Sequence, residues 1–168
     1  IFAFNFALGF RDEKKNFYYP YYKNHCLHYF CSFEKNYIKN SLKVTFNKKK
    51  FKIINKPMFL KKFDNLNIKC KPKLIKVDVE GFDYEVLKGM KKTINNHQPI
   101  ILVEFNKSNF YKIKKFLTRY NAWVYFYKTN EFKTFNKNMI DIDISRTNQK
   151  NLMSIRNIFF IPKSHKWN

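Results

Sequence analysis

Between Leu74 and Phe105 the chain alternates in a way that leaves few folds open to it. "LIKVDV" is a short apolar run with β-branched residues and reads as a buried strand. It ends at Glu80 and Gly81, where glycine permits a sharp turn. The period then changes. Phe82, Val86, Leu87, Met90 and Ile94 fall on one face of a helix. Asp83 and Glu85 stand in its first turn and Lys88, Lys91 and Lys92 toward its end, the order the helix dipole favours. "NNHQP" closes it, and "IILVEF" (100–105) is a second buried strand. Another helix is expected from Ser108, a suitable N-cap, with Phe110, Ile113, Phe116, Leu117 and Tyr120 facing inward. "WVYFYK" (123–128), a long polar excursion and "NIFFIPK" (157–163) complete the run. Strand, helix, strand, helix with continuous apolar strands means parallel βαβ units, with helices covering the sheet. Two final strands joined without a helix predict an antiparallel edge.

The N-terminal part is less regular. "IFAFNFALGF" reads as a strand over residues 2–8 that breaks at Gly9 into a polar turn. Residues 17–40 are aromatic with no clear period. "LKVTFNKKKFKII" (42–54) suggests two short strands around a lysine turn, and "MFLKKFDNL" (58–66) one short helix. The 168 residues suit one domain. Residues 1–60 would be a strand with a variable insert, and 72–168 the βαβα core with the C-terminal strands.

The net charge of +22 raises nucleic acid or an anionic surface as partners. The basic residues are nearly all Lys, with only four Arg, and they spread over the whole length. Proteins that read phosphates or bases draw on the forked donors of Arg. Solvated lysines therefore explain the charge better than specific nucleic-acid binding. No apolar run reaches the roughly 18 residues of a membrane span. Cys26, Cys31 and Cys70 form no disulfide framework, which fits a reducing, cytoplasmic setting. "NHCLHYFC" groups His25, Cys26, His28 and Cys31, all zinc-ligand types. Four ligands inside seven residues do not easily wrap a tetrahedron, and no metal is expected there.

Against this basic background, Asp78, Glu80, Asp83 and Glu85 place a third of the chain's 12 carboxylates in eight residues. Asp83 and Glu85 have a structural role at the helix start. Asp78 and Glu80 are two apart, so on an extended strand they share a side with Lys76. They are either a solvated, ion-paired strand end or a carboxylate pair facing a ligand. Ligands of open α/β sheets sit at the carboxyl ends of strands, which favours the second. Glu104 would end the neighbouring strand at the same rim.

These residues resemble a known signature. "IKVDVEGFDYEVLKGM", then a Pro and "IILVEF", is similar to the pattern of the FkbM-type methyltransferases: a strand ending in Asp-x-Glu-Gly, a helix with Val-Leu-Lys-Gly, a Pro and a strand ending in Glu. Here these are Asp78, Glu80, Gly81, Val86 to Gly89, Pro99 and Glu104. "FNFALGFRDEKKNFYYP" resembles the family's Ala-Leu-Gly strand, acidic turn and strand ending near Pro, and "NIFFIP" its last strand. The Thr-Leu-Asp stretch before the central strand is replaced by "KPMFLKKF". The resemblance implies a class I, Rossmann-like fold, a mostly parallel sheet with an antiparallel C-terminal edge. It also implies S-adenosylmethionine as cofactor and methyl transfer to a hydroxyl of a sugar or other small metabolite. Asp78 and Glu80 would orient the acceptor, take its proton or hold a divalent metal. Ala7, Leu8, Asp78 and Gly81 would touch the cofactor, and Glu104 and Asn106 the acceptor.

A class I methyltransferase also opens with a strand, a Gly-x-Gly turn and a helix, then a strand ending in an acid. Gly9, Gly81 and Gly89 are the chain's three glycines and no two are near each other. The first two βα units are thus expected upstream of Ile1, and a chain that begins with Ile fits a start partway into a longer frame. Without them the strand at 2–8 would lose its neighbour and the strand at 74–79 one side of its ladder. Such a chain would be poorly stable and bind cofactor weakly. Two alternatives stand beside an enzyme: a non-catalytic relic of the fold, and a basic nucleic-acid-binding protein.

Overall fold

A computed structural model describes residues 3–46, 50–126, 130–136 and 157–166. The chain divides into two compact units, Ile1–Lys69 with Asp78–Lys92, and Cys70–Val77 with Thr93–Asn168. Both mix helices with parallel and antiparallel strands, an α/β architecture.

The first unit holds β1 (Ala7–Gly9), β2 (Glu13–Tyr22), β3 (His25–Cys26), α1 (Lys35–Phe46), β4 (Lys52–Lys62) and α2 (Asp83–Gly89). Its sheet runs β1-β4-β2-β3. β2 and β4 form one long antiparallel ladder, from Glu13 opposite Leu60 to Tyr21 opposite Lys52. β1 lies parallel to β4, Ala7 opposite Leu60, so the N-terminal strand has a neighbour after all. The aromatic stretch from residue 17 is not irregular at its start: Phe17 to Tyr22 belong to β2, whose ladder with β4 sets Phe17 opposite Lys56 and Tyr21 opposite Lys52. Residues 42–46 are helix rather than strand. Ile38 and Leu42, one helical turn apart, are the buried residues of α1 and set its orientation. The expected helix at 58–66 is instead the end of β4 followed by a 3-10 turn, Phe63–Asn65.

The second unit holds β5 (Leu74–Val77), β6 (Ile100–Glu104), α4 (Lys107–Phe116), β7 (Tyr120–Phe126), β8 (Glu131–Thr134) and β9 (Asn157–Pro162), while α3 (Lys91–His97) straddles the division. Strand order is β5-β6-β9-β7-β8. β5 and β6 are parallel, Val77 opposite Val103. The other pairings are antiparallel, so this sheet is not mostly parallel. The two expected C-terminal strands, β7 and β9, do pair antiparallel. β9 buries Ile158, Phe160 and Ile161 and inserts between β6 and β7, which saturates both of its hydrogen-bonding sides. β8, fully exposed, is the edge and arises from the segment expected to be a polar excursion. Ile101 and Ile158 are completely buried, and Phe110 packs on Phe135 and Phe160.

Three local readings change. The helix expected over 82–97 is two, because the chain turns at Met90, whose N–H bonds the carbonyls of Leu87 and Lys88. Its apolar face is as expected: Phe82, Val86, Leu87, Met90 and Ile94 are all buried. Asn106, not Ser108, caps α4, its Oδ1 accepting from the Asn109 N–H at 3.4 Å. Tyr120 is buried but begins β7 instead of ending α4. Among the described residues no helix is long and apolar enough to cross a membrane.

Candidate functional site

β5 stops at Val77, and the next four residues reverse the chain. Glu80 has φ 48° and Gly81 φ 88°, two left-handed residues in succession. Phe82 N–H closes the turn on the Val79 carbonyl at 3.2 Å, and α2 begins. A non-glycine residue in this region carries strain of roughly 1–3 kcal/mol and is held there only by its surroundings. Two side chains of the first unit do the holding. The Ser32 hydroxyl, itself buried, donates to the Glu80 carbonyl at 2.7 Å. The Tyr37 hydroxyl donates to Glu80 Oε2 at 2.8 Å. Ser32 Oγ also accepts the Glu34 N–H at 3.0 Å, which fixes its rotamer. At Gly81 a Cβ would lie 2.7 Å from the Tyr37 ring, so glycine is required for space as well as for φ.

Three carboxylates gather on this turn. Asp78 is exposed and Glu80 half-buried. Burial raises the Glu80 pKa and the charge of Asp78 adds to that, while the Tyr37 hydrogen bond opposes it. Asp83 is 1% exposed, and its Oδ1 has no hydrogen-bond partner among the described residues. Burial raises its pKa most; backbone N–H groups of Asp83 and Val79 oppose the shift, and Asp78 and Glu80 reinforce it. Burial thus holds the Glu80 and Asp83 carboxyls above the ordinary carboxylate range. Cys31 lies within reach of the Glu80 charge. Burial, Cys26 and Glu80 together push the Cys31 thiol up to about 12.

The first unit therefore brings Asp78, Glu80 and Gly81 onto one turn. Ala7 and Leu8 belong to the same unit, in β1, opposite Leu60 and Lys61. The α2 helix lies tight on this strand: a Cβ at Gly89 would stand 2.0 Å from the Gly9 carbonyl oxygen. Lys88 places its ammonium 3.9 Å from the centre of the Phe10 ring. Glu104 and Asn106 belong to the second unit, Glu104 ending β6 opposite Asn157 and Asn106 capping α4.

Sequence reasoning missed Ser32, Tyr37 and the burial of Asp83. The first two reach the turn from 48 and 43 residues away, and no local spacing marks them. Asp83 did leave a signal. It precedes Val86 by three and Leu87 by four positions, so it sits inside the apolar stripe rather than beside it.

No curated protein and no solved structure matches this chain. The family model described as the methyltransferase FkbM domain matches residues 3–145, which include β1, the strained turn, α2 and β6. With that match over most of its length, the chain belongs to the FkbM methyltransferase domain family.

Proposed function

We propose that this domain transfers the methyl group of S-adenosylmethionine to a hydroxyl of a sugar or other small metabolite. The observation that carries the reading is the strained Asp78–Gly81 turn, buttressed by Ser32 and Tyr37, in a chain of this family. When bound, the cofactor supplies an electrophilic methyl group. The chain's own part is to hold the acceptor in line and to take its proton. Asp78, exposed at the turn, is assigned the proton, and Glu80, fixed by Tyr37, the orientation of the acceptor.

Ala7, Leu8, Asp78 and Gly81 are assigned to the cofactor. Its ammonium and ribose hydroxyls are donors, and Asp78 and Glu80 supply acceptors, so this part of the residue set fits. The cofactor's carboxylate calls for clustered backbone N–H groups such as a Gly-x-Gly turn presents. No two of the three glycines are close in sequence, and we assign that grip to βα units preceding this stretch in one methyltransferase domain. The test is transfer of labelled methyl from S-adenosylmethionine to sugars and small alcohols by the full-length protein. Asp78→Asn is expected to slow transfer about 10²–10⁴-fold. Undiminished transfer by that variant would remove Asp78 from the role. Failure of the wild-type protein to bind S-adenosylmethionine at all would favour the non-catalytic relic.

A further inference from the structure

We infer that Cys26, His28 and Cys31 form an open zinc site on the first unit, with solvent as the fourth ligand. The two sulfurs are 3.9 Å apart, and one ligand nitrogen of His28 lies within 4.8 Å of both. A tetrahedron with Zn–S bonds of about 2.3 Å needs its sulfurs about 3.8 Å apart. The sulfurs thus already stand at the metal-bound separation, and His28, exposed, needs only to swing its ring inward. The objection to four ligands in seven residues does not apply to three. His25 precedes Cys26 on β3, and successive strand residues face opposite sides, which leaves it out of the set.

The backbone holds the ligand loop at both ends against one strand. Tyr21 pairs with Cys26, the Leu27 N–H bonds the Pro20 carbonyl at 2.9 Å, and Tyr18 and Ser32 exchange hydrogen bonds of 2.9 and 3.2 Å. Between these clamps a 3-10 turn, His28–Phe30, brings Cys31 back over Cys26. Binding replaces two thiol protons, which leave to solvent, by one Zn2+; two thiolates cancel its charge, and no oxidant or reductant is needed. The neutral complex suits a half-buried position beside Glu80. The residue after Cys31 is Ser32, whose hydroxyl holds the Glu80 carbonyl. A bound metal would therefore stiffen the segment that props the strained turn.

The experiment uses the reduced full-length chain with Zn2+ alone, and with Co2+ as a spectroscopic probe. One equivalent should bind, with tetrahedral visible bands and thiolate-to-cobalt charge transfer. Cys26→Ser and Cys31→Ser should abolish the charge-transfer signal. His28→Gln should weaken zinc binding by more than the roughly 10–100-fold of a lost supporting contact. Because His28 is exposed, that variant tests the site without threatening the fold. His25→Gln and Cys70→Ser should leave binding unchanged. Binding untouched by the Cys26 and Cys31 changes, dependence on His25 instead of His28, or a reduced protein that takes up no zinc would each overturn the site.

Discussion

The two units are built on different terms. In the second, strands alternate or saturate with apolar residues, and Ile101, Ile158 and Phe160 are at most 1% exposed. In the first, the long β2–β4 ladder buries only Pro20 and Leu60 from its own residues. Its sheet is half-wet, and directed contacts carry much of the organisation: Lys15 bridges Glu34 at 2.9 Å while lying 4.4 Å from the centre of the Phe82 ring. Ser32 and Tyr37 hold Glu80 by single hydrogen bonds. A core built from apolar area tolerates small shifts. A turn fixed by a few contacts is defined more sharply, and the candidate chemistry sits on that turn.

The largest effects should separate these two kinds of construction. Ile101→Ala removes a fully buried side chain from the second unit and is expected to cost about 2–5 kcal/mol in denaturant melts. Gly89→Ala adds one methyl to the first. With backbone oxygen 2.0 Å from the new Cβ, nothing flexible can give way. The cost should reach or pass the upper end of the ~1–3 kcal/mol of overpacking. A tolerated alanine at 89 would mean that α2 rests on β1 more loosely than the geometry says.

Gly81→Ala comes next. The new side chain meets both a left-handed φ, worth roughly 1–2 kcal/mol, and the Tyr37 ring. Adding Tyr37→Ala should recover the steric part and leave the backbone part. Full recovery in the double variant would show that space alone, and not φ, demands the glycine.

This contrast also explains what could be read in advance. β5, α2, β6, α4 and β9 were legible because local period and apolar content report burial directly. β9's place inside the sheet was not, since its pairing partners end at residues 104 and 126 and no local pattern names them. α1 was hidden because Ile38 and Leu42 are its only buried residues in a run of Asn and Lys. β4 was cut short by reading residues 58–66 as one short helix. At the site, the Asp-x-Glu-Gly signature located the turn. The hydroxyls that hold it come from α1 and from the loop after Cys31, where only the folded chain brings them within 3 Å.

A pH series probes the buried acid. Asp83 binds its proton more tightly in the folded state than its ordinary value of 3.8. The native state then carries more bound protons than the unfolded one, so stability falls as pH rises from that value through the raised folded pKa, and is flat above it. Asp83→Asn should make this fall shallower and leave the protein no less stable at neutral pH. Glu80, shifted in the same direction, keeps the slope from vanishing. A large loss of stability in Asp83→Asn at neutral pH would mean that the ionised carboxylate has a favourable partner.

The smallest change in stability should come from Tyr37→Phe, and it is the most telling for function. It deletes one hydroxyl that donates to Glu80 at 2.8 Å, a net loss of about 0.5–1.5 kcal/mol. The same bond lowers the Glu80 pKa against burial, so its removal must raise that pKa further. If Glu80 works as a carboxylate in the proposed transfer, the acid limb of the pH–rate profile moves to higher pH while the high-pH plateau changes little. In a Glu80→Gln background the same Tyr37→Phe change should move nothing. A shift that persists there would mean that the Tyr37 hydroxyl acts on a titrating group other than Glu80.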